Sequence, residues 1–274
     1  MAESGIVSGF PSHESQGGPW VFSLRGHEIR VDPGLETYPE SYWRSAESGT
    51  WEPEIFDWLD GASSAGSSVL LDVGAASGIV TLYALSLGIR TVSIEPISWQ
   101  ARALRGNLAA SNLSAEVIQA IVTGEQQAIR NERDHLLGSI MEPELDGAAG
   151  ADILTVPDLL RLARCSPGDG RLLIKMDIEG AEFAALDRSA LRRLRDYRAI
   201  VYLSLHPGAM KGLAQDASLA THGYWRLHAL SEVVLLRLRL LLTRARVHDM
   251  RGRPASLFAS MRIARRDKVW IVEW

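Results

Sequence analysis

The sequence predicts an α/β protein with a doubly wound, mostly parallel sheet and an antiparallel closing strand. From Ser68 onward, short apolar runs alternate with segments of helical periodicity, which is the pattern of a parallel sheet covered by helices on both faces. The runs are almost continuously apolar, as strands buried on both faces are. The last residues, "KVWIVEW", then supply the closing strand.

The first 66 residues depart from this pattern and predict an N-terminal cap. Residues 1–18 are rich in Ser, Gly and Glu, so we expect them to be disordered. In the cap segment, residues 19–66, the stretch "WVFSLRGHEIRV" alternates as a hairpin about Arg25 and Gly26 does. Helical periodicity follows in "PESYWRSAESGTWEPEIFDWLDG", whose aromatic residues we expect to pack the cap against the sheet: Trp43, Trp51, Phe56 and Trp58. Closure of Trp51 and Glu52 over a cofactor or substrate is the alternative.

The remaining residues, 67–274, are expected to form one α/β domain. Its predicted strands are residues 69–73, 91–95, 116–122, 171–176 and 199–205, and its predicted helices lie near residues 79–88, 98–112, 182–195 and 209–222. An insertion, residues 124–170, interrupts the alternation and contains a predicted short helix, "TVPDLLRLA". In the basic C-terminal region, residues 226–268, "SEVVLLRLRLLLTRAR" fits an amphipathic helix or a strand. Core packing is the favoured interpretation, and contact with a membrane surface or a partner helix is the alternative.

Composition argues against several classes of protein. The formal net charge of −4 has the wrong sign for a nucleic-acid-binding protein, and no apolar run is long enough to span a bilayer. Because Cys165 is the only cysteine and the first residues lack signal-peptide character, we expect a cytoplasmic protein without disulfides.

Charge is distributed unevenly along the chain. Residues 1–60 carry 11 acidic residues against 3 arginines, and residues 226–268 carry 11 basic residues against 3 acidic ones. The favoured interpretation is that these charged residues lie on the solvated surface, and the alternative is that the basic ones attract an acidic substrate.

The stretch "SVLLDVGAASG" predicts a buried strand that enters a glycine turn. Gly74 and Gly78 are spaced G-x-x-x-G, and Ala76 occupies the position of the glycine that lets a pyrophosphate approach in the dinucleotide fingerprint G-x-G-x-x-G. No Gly-Lys-Ser/Thr follows, so the turn is not a phosphate-binding P-loop. We therefore expect the turn to admit an uncharged or cationic group beside the acid Asp72.

The next predicted strand ends at Glu95, 17 residues after Gly78, in "TVSIEP". An acid at this place accepts hydrogen bonds from the ribose hydroxyls of a nucleoside cofactor, with or without a pyrophosphate. Pro96 ends the strand and helps to fix the carboxylate. A solvent-exposed acid at a strand end is the weaker interpretation of a residue beside a glycine turn.

Two later strand ends are unusually polar, and reacting groups gather at the carboxyl ends of parallel strands. In "IKMDIEGAE", Lys175 and Asp177 share a strand face, and Glu182 falls near a helix start. A catalytic role for Asp177 or Glu182 is one interpretation. A structural ion pair of Lys175 with Asp177, and a helix-stabilising first-turn acid at Glu182, are the alternatives. His206, in "VYLSLHP", suits proton abstraction near neutral pH, and a structural histidine is the alternative. Asp177, Glu179 and His206 could together hold a divalent metal, but they lack the ligand spacing of a metal motif, so the favoured interpretation is a site without a metal.

Four stretches, in this order and spacing, resemble the FkbM family of S-adenosylmethionine-dependent methyltransferases: "LLDVGAASGIVTLYA", "VSIEPISWQARALRGNLAASN", "LLIKMDIEGAEFAAL" and "VYLSLHP". The resemblance covers roughly residues 42–207. It implies a Rossmann-like methyltransferase fold that binds S-adenosylmethionine over its first two strands and methylates a hydroxyl of a sugar or secondary metabolite. The residues implied to bind the cofactor are Asp72, Gly74, Ala75, Gly78, Glu95 and Pro96. The chain has Ala75-Ala76 where the family usually has Ala-Asn, so an amide that could touch the cofactor is missing.

The prediction is therefore an O-methyltransferase acting on a small molecule or glycoside, with His206, Asp177 and Glu182 as candidate catalytic residues. Methyl transfer requires alignment of nucleophile and sulfonium, and a neutral hydroxyl must also lose its proton. An N-methyltransferase of the same fold and a non-catalytic binding module stay open. An NAD-dependent oxidoreductase is disfavoured by Ala76 and by the lack of a Tyr-x-x-x-Lys pair near the later strands.

Overall fold

A computed structural model describes residues 18–35, 38–64, 66, 68–125, 151–168, 170–206, 224–255 and 268–274. Three sequence-based predictions lie outside these ranges in whole or in large part. They are the disordered tail, the helix near residues 209–222 and the middle of the insertion.

The cap consists of a hairpin and two helices. Strands β1 (Trp20–Leu24) and β2 (His27–Val31) pair antiparallel through the turn that the sequence predicts, and helices α1 (Glu40–Glu47) and α2 (Pro53–Ser63) follow. All four elements contribute buried side chains to one core shared with a face of the main sheet. Members of this core include Phe22, Ile29, Trp43, Ile55, Phe56, Leu70, Val80, Tyr83, Leu173 and Tyr202.

The rest of the described residues form the main sheet, its helices and a separate two-stranded sheet. They are β3 (Ser68–Val73), α3 (Ile79–Ser86), β4 (Arg90–Ile94), α4 (Ser98–Ala110), β5 (Glu116–Ile118), β6 (Ala120–Val122), β7 (Asp152–Leu154), α5 (Val156–Ala163), β8 (Arg171–Met176), α6 (Glu182–Ala185), α7 (Arg188–Asp196), β9 (Ile200–Leu205), α8 (Tyr224–Leu242), β10 (Arg246–His248) and β11 (Lys268–Glu273). The segment that fitted either a helix or a strand is thus largely helical. None of the described helices combines the length and apolar content needed to cross a membrane.

The sheet has seven strands in the order β5-β4-β3-β8-β9-β11-β10. Strand β11 is antiparallel to both neighbours, and the other four pairs are parallel. This confirms the predicted doubly wound sheet with an antiparallel closing strand. Helices α5, α7 and α8 cover the face opposite the cap. The strand order reverses between β3 and β8, and ligands of such sheets bind at the carboxyl ends of strands beside this reversal.

Two predicted elements are divided in the structure. The strand predicted over residues 116–122 is interrupted at Gln119, because β6 leaves the main sheet to pair with β7 from the insertion. The helix predicted over residues 182–195 breaks after Ala185, because Asp187 accepts a hydrogen bond from the Ala190 N–H at 2.8 Å and starts α7. Strands β7 and β10 were not predicted, since three residues are too few to show a period.

Candidate active site

A cavity of about 330 Å³ lies at the carboxyl ends of β3, β4 and β8, beside the reversal of strand order. This volume is within the range of small-molecule sites. The cap covers one side of the cavity, and the sheet and its loops form the other. Its lining includes Tyr38, Tyr42, Trp51, Glu52, Gly74, Ala75, Ala76, Glu95, Pro96, Ile97, Gln100, Ala120, Ile121, Val122, Lys175, Asp177, Glu179 and His206.

The glycine turn brings β3 and β8 into close contact. Gly74, Ala76 and Gly78 all have left-handed backbone, with φ of 78°, 49° and 98°. A Cβ on Gly74 would lie 1.9 Å from the carbonyl oxygen of Asp177, so only glycine fits there. Gly78 precedes α3 and is buried outside the cavity lining, although the sequence predicts it as a cofactor contact.

Three consecutive N–H groups of the turn already have partners. Gly74 and Ala75 donate to the carbonyl oxygen of Ile94 at 2.9 and 3.1 Å. Ala76 donates to Oε2 of Glu95 at 2.7 Å. Turns that bind phosphate direct such N–H groups at the phosphate oxygens. This turn is therefore not arranged to cradle a phosphate.

Glu95 is buried in the wall of the cavity, with 3% of its surface exposed. Its Oε1 accepts a second backbone hydrogen bond, from the Ile97 N–H at 2.9 Å. Burial raises the pKa of Glu95 to about 7, although its two backbone hydrogen bonds act to lower it. The interpretation of Glu95 as a solvent-exposed strand-end acid is therefore wrong. Each carboxylate oxygen retains a lone pair that a ligand hydroxyl can use.

Asp72, predicted to contact the cofactor, lies behind the cavity and not in its lining. Its Oδ2 accepts a hydrogen bond from the Thr81 hydroxyl at 2.6 Å, and its Oδ1 is 3.6 Å from Nζ of Lys175. Lys175 also donates to the Gly74 carbonyl and lies 3.6 Å from Oδ2 of Asp177. Burial alone would lower the pKa of Lys175, but the carboxylates of Asp177 and Asp72 outweigh burial and raise it. Asp72 thus belongs to a buried ion-pair network that supports the cavity floor.

The three predicted catalytic residues come together at one edge of the cavity. His206 Nδ1 is 3.3 Å from Oε1 of Glu182 and 3.5 Å from Oδ1 of Asp177. Burial lowers the pKa of His206, but the hydrogen bond to Glu182 and the charges of Asp177 and Glu179 outweigh it and raise the pKa to about 9. A pKa raised in this way favours the protonated imidazole, whereas a base must be neutral, so the role of His206 as a base stays a prediction.

The cap supplies two lining residues, Tyr38 and Tyr42, for which the sequence predicts no role in the site. The rings of Tyr38 and Tyr42 contact each other with centroids 4.6 Å apart, and the Tyr38 hydroxyl accepts a hydrogen bond from Gln100 Nε2 at 3.4 Å. In the sequence, the only indication of this contact is the i, i+4 spacing of the two tyrosines across the start of α1. Trp51, predicted to pack the cap or to close over a ligand, both lines the cavity and packs edge-on against Tyr42 at 5.3 Å.

Carboxylates dominate the charged groups around the cavity. Glu52 precedes α2 with a left-handed φ of 34°, and burial, reinforced by the charge of Asp177, raises its pKa. The described lining has four carboxyl groups against one ammonium and one imidazole group: Glu52, Glu95, Asp177 and Glu179 against Lys175 and His206. The cavity therefore favours a cationic ligand over an anionic one.

The chain matches no protein-family model and no curated protein sequence. Among solved structures it is similar to the tRNA (uracil-54, C5)-methyltransferase of Pyrococcus abyssi in complex with S-adenosyl-L-homocysteine, at 10% identity over 69% of this chain and 34% of that chain, with a TM-score of 0.35. It spans about a third of that enzyme's length. Similarity extends to a SAM-dependent methyltransferase of Agrobacterium tumefaciens, at 13% identity over 95% and 71% of the two chains and a TM-score of 0.40. An O-methyltransferase of Bacillus cereus in complex with SAH has 12% identity over 81% of each chain and a TM-score of 0.36. Similarities of this extent assign no function, and membership of the FkbM family stays a prediction.

Proposed function

We propose that the protein is an S-adenosylmethionine-dependent methyltransferase of the FkbM type that methylates a hydroxyl group of a sugar or secondary metabolite. The observation that carries the cofactor assignment is the position of Glu95 against the glycine turn. A buried carboxylate at the end of β4 suits a ribose diol, and the turn beside it has its N–H groups occupied. A nucleoside without phosphate fits this arrangement.

The charge of the lining supports a sulfonium cofactor over a dinucleotide. S-adenosylmethionine carries a positive sulfonium and a positive amino group against one carboxylate, whereas the pyrophosphate of NAD is negatively charged. A pyrophosphate beside Glu95 and Asp177 would place like charges together in a partly buried site. The acidic lining stabilises the sulfonium instead.

A second cavity, of about 410 Å³, gives the acceptor a place on the far side of Glu52 and His206. Both side chains line the two cavities, so they stand where cofactor and acceptor would meet. The second cavity has hydroxyl, carboxylate and guanidinium groups around it, contributed by Tyr202, Ser204, Asp249, Arg251 and Arg253. Such groups pair with the hydroxyls of a sugar or polyol.

Glu52 is the proton acceptor in this proposal. In the transfer step the acceptor oxygen bonds to the methyl carbon while the S–CH3 bond breaks and its electron pair stays on sulfur, giving S-adenosylhomocysteine. The hydroxyl proton passes to the Glu52 carboxylate, whose pKa burial raises toward the working pH. His206 and Asp177, which line the same cavity, orient the acceptor.

One observation favours an amine acceptor as the second candidate. The cavity lining is rich in carboxylates, which attract an amine, and a neutral amine needs no base before it attacks the sulfonium. Transfer of a ¹³C-labelled methyl group to hydroxyl and amine acceptors separates the two, because O-methyl and N-methyl carbons differ in chemical shift. Labelled ether product supports the first candidate, and labelled amine product supports the second.

Isothermal titration calorimetry with S-adenosylmethionine, S-adenosylhomocysteine and NAD tests the cofactor assignment. We expect saturable binding of both sulfur compounds, and loss of that binding in Glu95→Ala. Binding of NAD without either sulfur compound would overturn the proposal. Glu52→Gln should retain saturable cofactor binding but turn over at least about a hundredfold more slowly. An unchanged rate in Glu52→Gln contradicts the role of Glu52.

A further inference from the structure

The side chains of Asp177, Glu182 and His206 converge in a way that the proposed transfer reaction does not explain. One ligand atom of each lies within 4.8 Å of the other two. His206 Nδ1 is 3.3 Å from Glu182 Oε1 and 3.5 Å from Asp177 Oδ1. Ligand atoms held about 2.1 Å from one cation lie about 3.0 Å apart at right angles and about 3.4 Å apart in a tetrahedron. Both measured separations are close to this range.

Hydrogen bonds from a protonated His206 would satisfy the two carboxylates less well than a bound metal ion would. Hydrogen bonds from a charged nitrogen to a carboxylate are about 2.7–2.9 Å long, and both separations exceed this. The two carboxylate oxygens also approach the same nitrogen, Nδ1. A single N–H group points at only one acceptor, so at least one carboxylate is poorly paired.

Glu182 supplies a second, independent observation. Its side chain is 0% exposed, and its Oε2 has no hydrogen-bond partner among the residues that the structure describes. Its Oε1 already accepts the Ile178 N–H at 3.1 Å and faces His206. A buried carboxylate oxygen without a partner is unfavourable and calls for an explanation such as an ion.

We propose that Asp177, Glu182 and His206 bind a divalent metal cation of the Mn²⁺ or Zn²⁺ class. Two carboxylates and a neutral imidazole balance the charge of such an ion, and mixed nitrogen and oxygen ligands suit these metals better than Mg²⁺ or Ca²⁺. The set differs from the one weighed in the sequence, because buried Glu182 takes the place of Glu179. Asp177 and His206 line the cavity, so the open coordination positions lie where water or an acceptor hydroxyl can bind.

Binding of Mn²⁺ to the full-length, cation-free protein tests this site without any cofactor. Calorimetry should show saturable binding of one ion per chain, and electron spin-echo spectra of bound Mn²⁺ should show coupling to one imidazole nitrogen. Asp177→Asn and His206→Asn should each weaken binding at least about tenfold, and His206→Asn should remove the nitrogen coupling. Both side chains are partly exposed, so these variants disturb folding less than a change at Glu182, and thermal unfolding verifies that they fold.

Asp196→Asn is the matched control, because Asp196 is an exposed acid at the end of α7. It should bind Mn²⁺ with wild-type affinity. The site is overturned if neither Mn²⁺ nor Zn²⁺ binds saturably at millimolar concentration, or if Asp177→Asn and His206→Asn bind as tightly as the wild-type protein. The result is separable from the proposed function, because S-adenosylmethionine binding is measured on the cation-free protein. Cofactor binding without Mn²⁺ binding rejects only the metal site.

Discussion

The carboxylate of Glu95 accepts a hydrogen bond from the backbone N–H of Ala76 at 2.7 Å. This bond joins the end of β4 to the glycine turn that follows β3, and it occupies an N–H group that a phosphate would need. The second oxygen of Glu95 is held by the Ile97 N–H at 2.9 Å. The carboxylate is thus fixed in the cavity wall before any ligand binds, which reduces the entropy lost on binding.

The affinity for S-adenosylmethionine should depend on the ionisation of Glu95. Ribose hydroxyls donate to a carboxylate, and the pKa of Glu95 is raised to about 7, so the binding form is lost as the pH falls. We expect the dissociation constant to fall about tenfold between pH 6 and pH 8, measured by calorimetry. Glu95→Gln should bind more weakly and show no such change. A wild-type profile as flat as that of Glu95→Gln contradicts the contact.

Glu95 should also make the unliganded protein less stable as the pH rises. Its pKa is about 7 in the folded protein against an ordinary value of 4.5, so the folded state binds the proton more tightly. The resulting stabilisation is complete below pH 4.5 and is lost as the pH rises through 7. As the pH rises through this range, the free energy of unfolding of Glu95→Gln should increase by about 3 kcal/mol relative to that of the wild-type protein, measured by urea unfolding. A difference between the two proteins that is independent of pH rejects this expectation.

Ala76→Gly tests whether the missing middle glycine decides the ligand. Ala76 has a φ of 49°, and removing its Cβ relieves a left-handed cost of about 1–2 kcal/mol at the expense of about 0.5–1 kcal/mol of glycine entropy. We therefore expect stability that is unchanged or higher by up to about 1 kcal/mol. NAD should still not bind, because Glu95 still accepts the hydrogen bond of the residue 76 N–H group and the cavity lining stays acidic. Gain of NAD binding in Ala76→Gly would show that Cβ alone excludes the dinucleotide.

The sheet and the place of Glu95 can be predicted from sequence because both follow from short-range patterns. Apolar runs locate β3 and β4, and parallel pairing of Val73 with Ile94 places the residues after them at one edge. The break of the strand at Gln119 has no such signal. It depends on pairing with β7, which is contributed by a distant segment.

The position of Asp72 depends on strand register, which a single sequence does not reveal. Asp72 and Lys175 are direct partners in the β3–β8 pair, and a shift of one residue would separate their side chains onto opposite faces. The pKa of His206 is beyond sequence reasoning for a similar reason. It results from carboxylates that the turn after β8 and the start of α6 bring around the ring.

Gly74→Ala should be much more destabilising than Gly88→Ala. Both glycines have nearly the same φ, 78° and 77°, but a Cβ on Gly74 meets the Asp177 carbonyl oxygen at 1.9 Å, whereas a Cβ on Gly88 meets nothing within 4 Å. The φ cost of about 1–2 kcal/mol is common to both, and the steric clash adds about 1–3 kcal/mol at Gly74 alone. Thermal and urea unfolding measure the difference. Equal losses in the two variants would mean that β3 and β8 are not in close contact.

Lys175→Met should lower the free energy of unfolding by about 3–5 kcal/mol at neutral pH. Lys175 is 5% exposed, and its ammonium group lies 3.6 Å from both Asp72 and Asp177. Methionine fills similar space but leaves the fully buried Asp72 carboxylate without its cation. Arg195→Met is the control, because it removes an exposed cation that pairs with Asp196, and it should cost less than about 1 kcal/mol.

The double variant Asp72→Asn with Lys175→Met separates loss of charge balance from loss of packing. Asparagine at position 72 can still accept the Thr81 hydrogen bond, which is 2.6 Å long in the wild-type protein, but it carries no charge that needs a cation. If the buried charge causes the loss, the double variant should recover at least about 1–2 kcal/mol relative to Lys175→Met, since interacting neighbours are not additive. If the two variants unfold at the same urea concentration, packing of the lysine chain is the cause, and the ion pair between β3 and β8 does not hold these strand ends together.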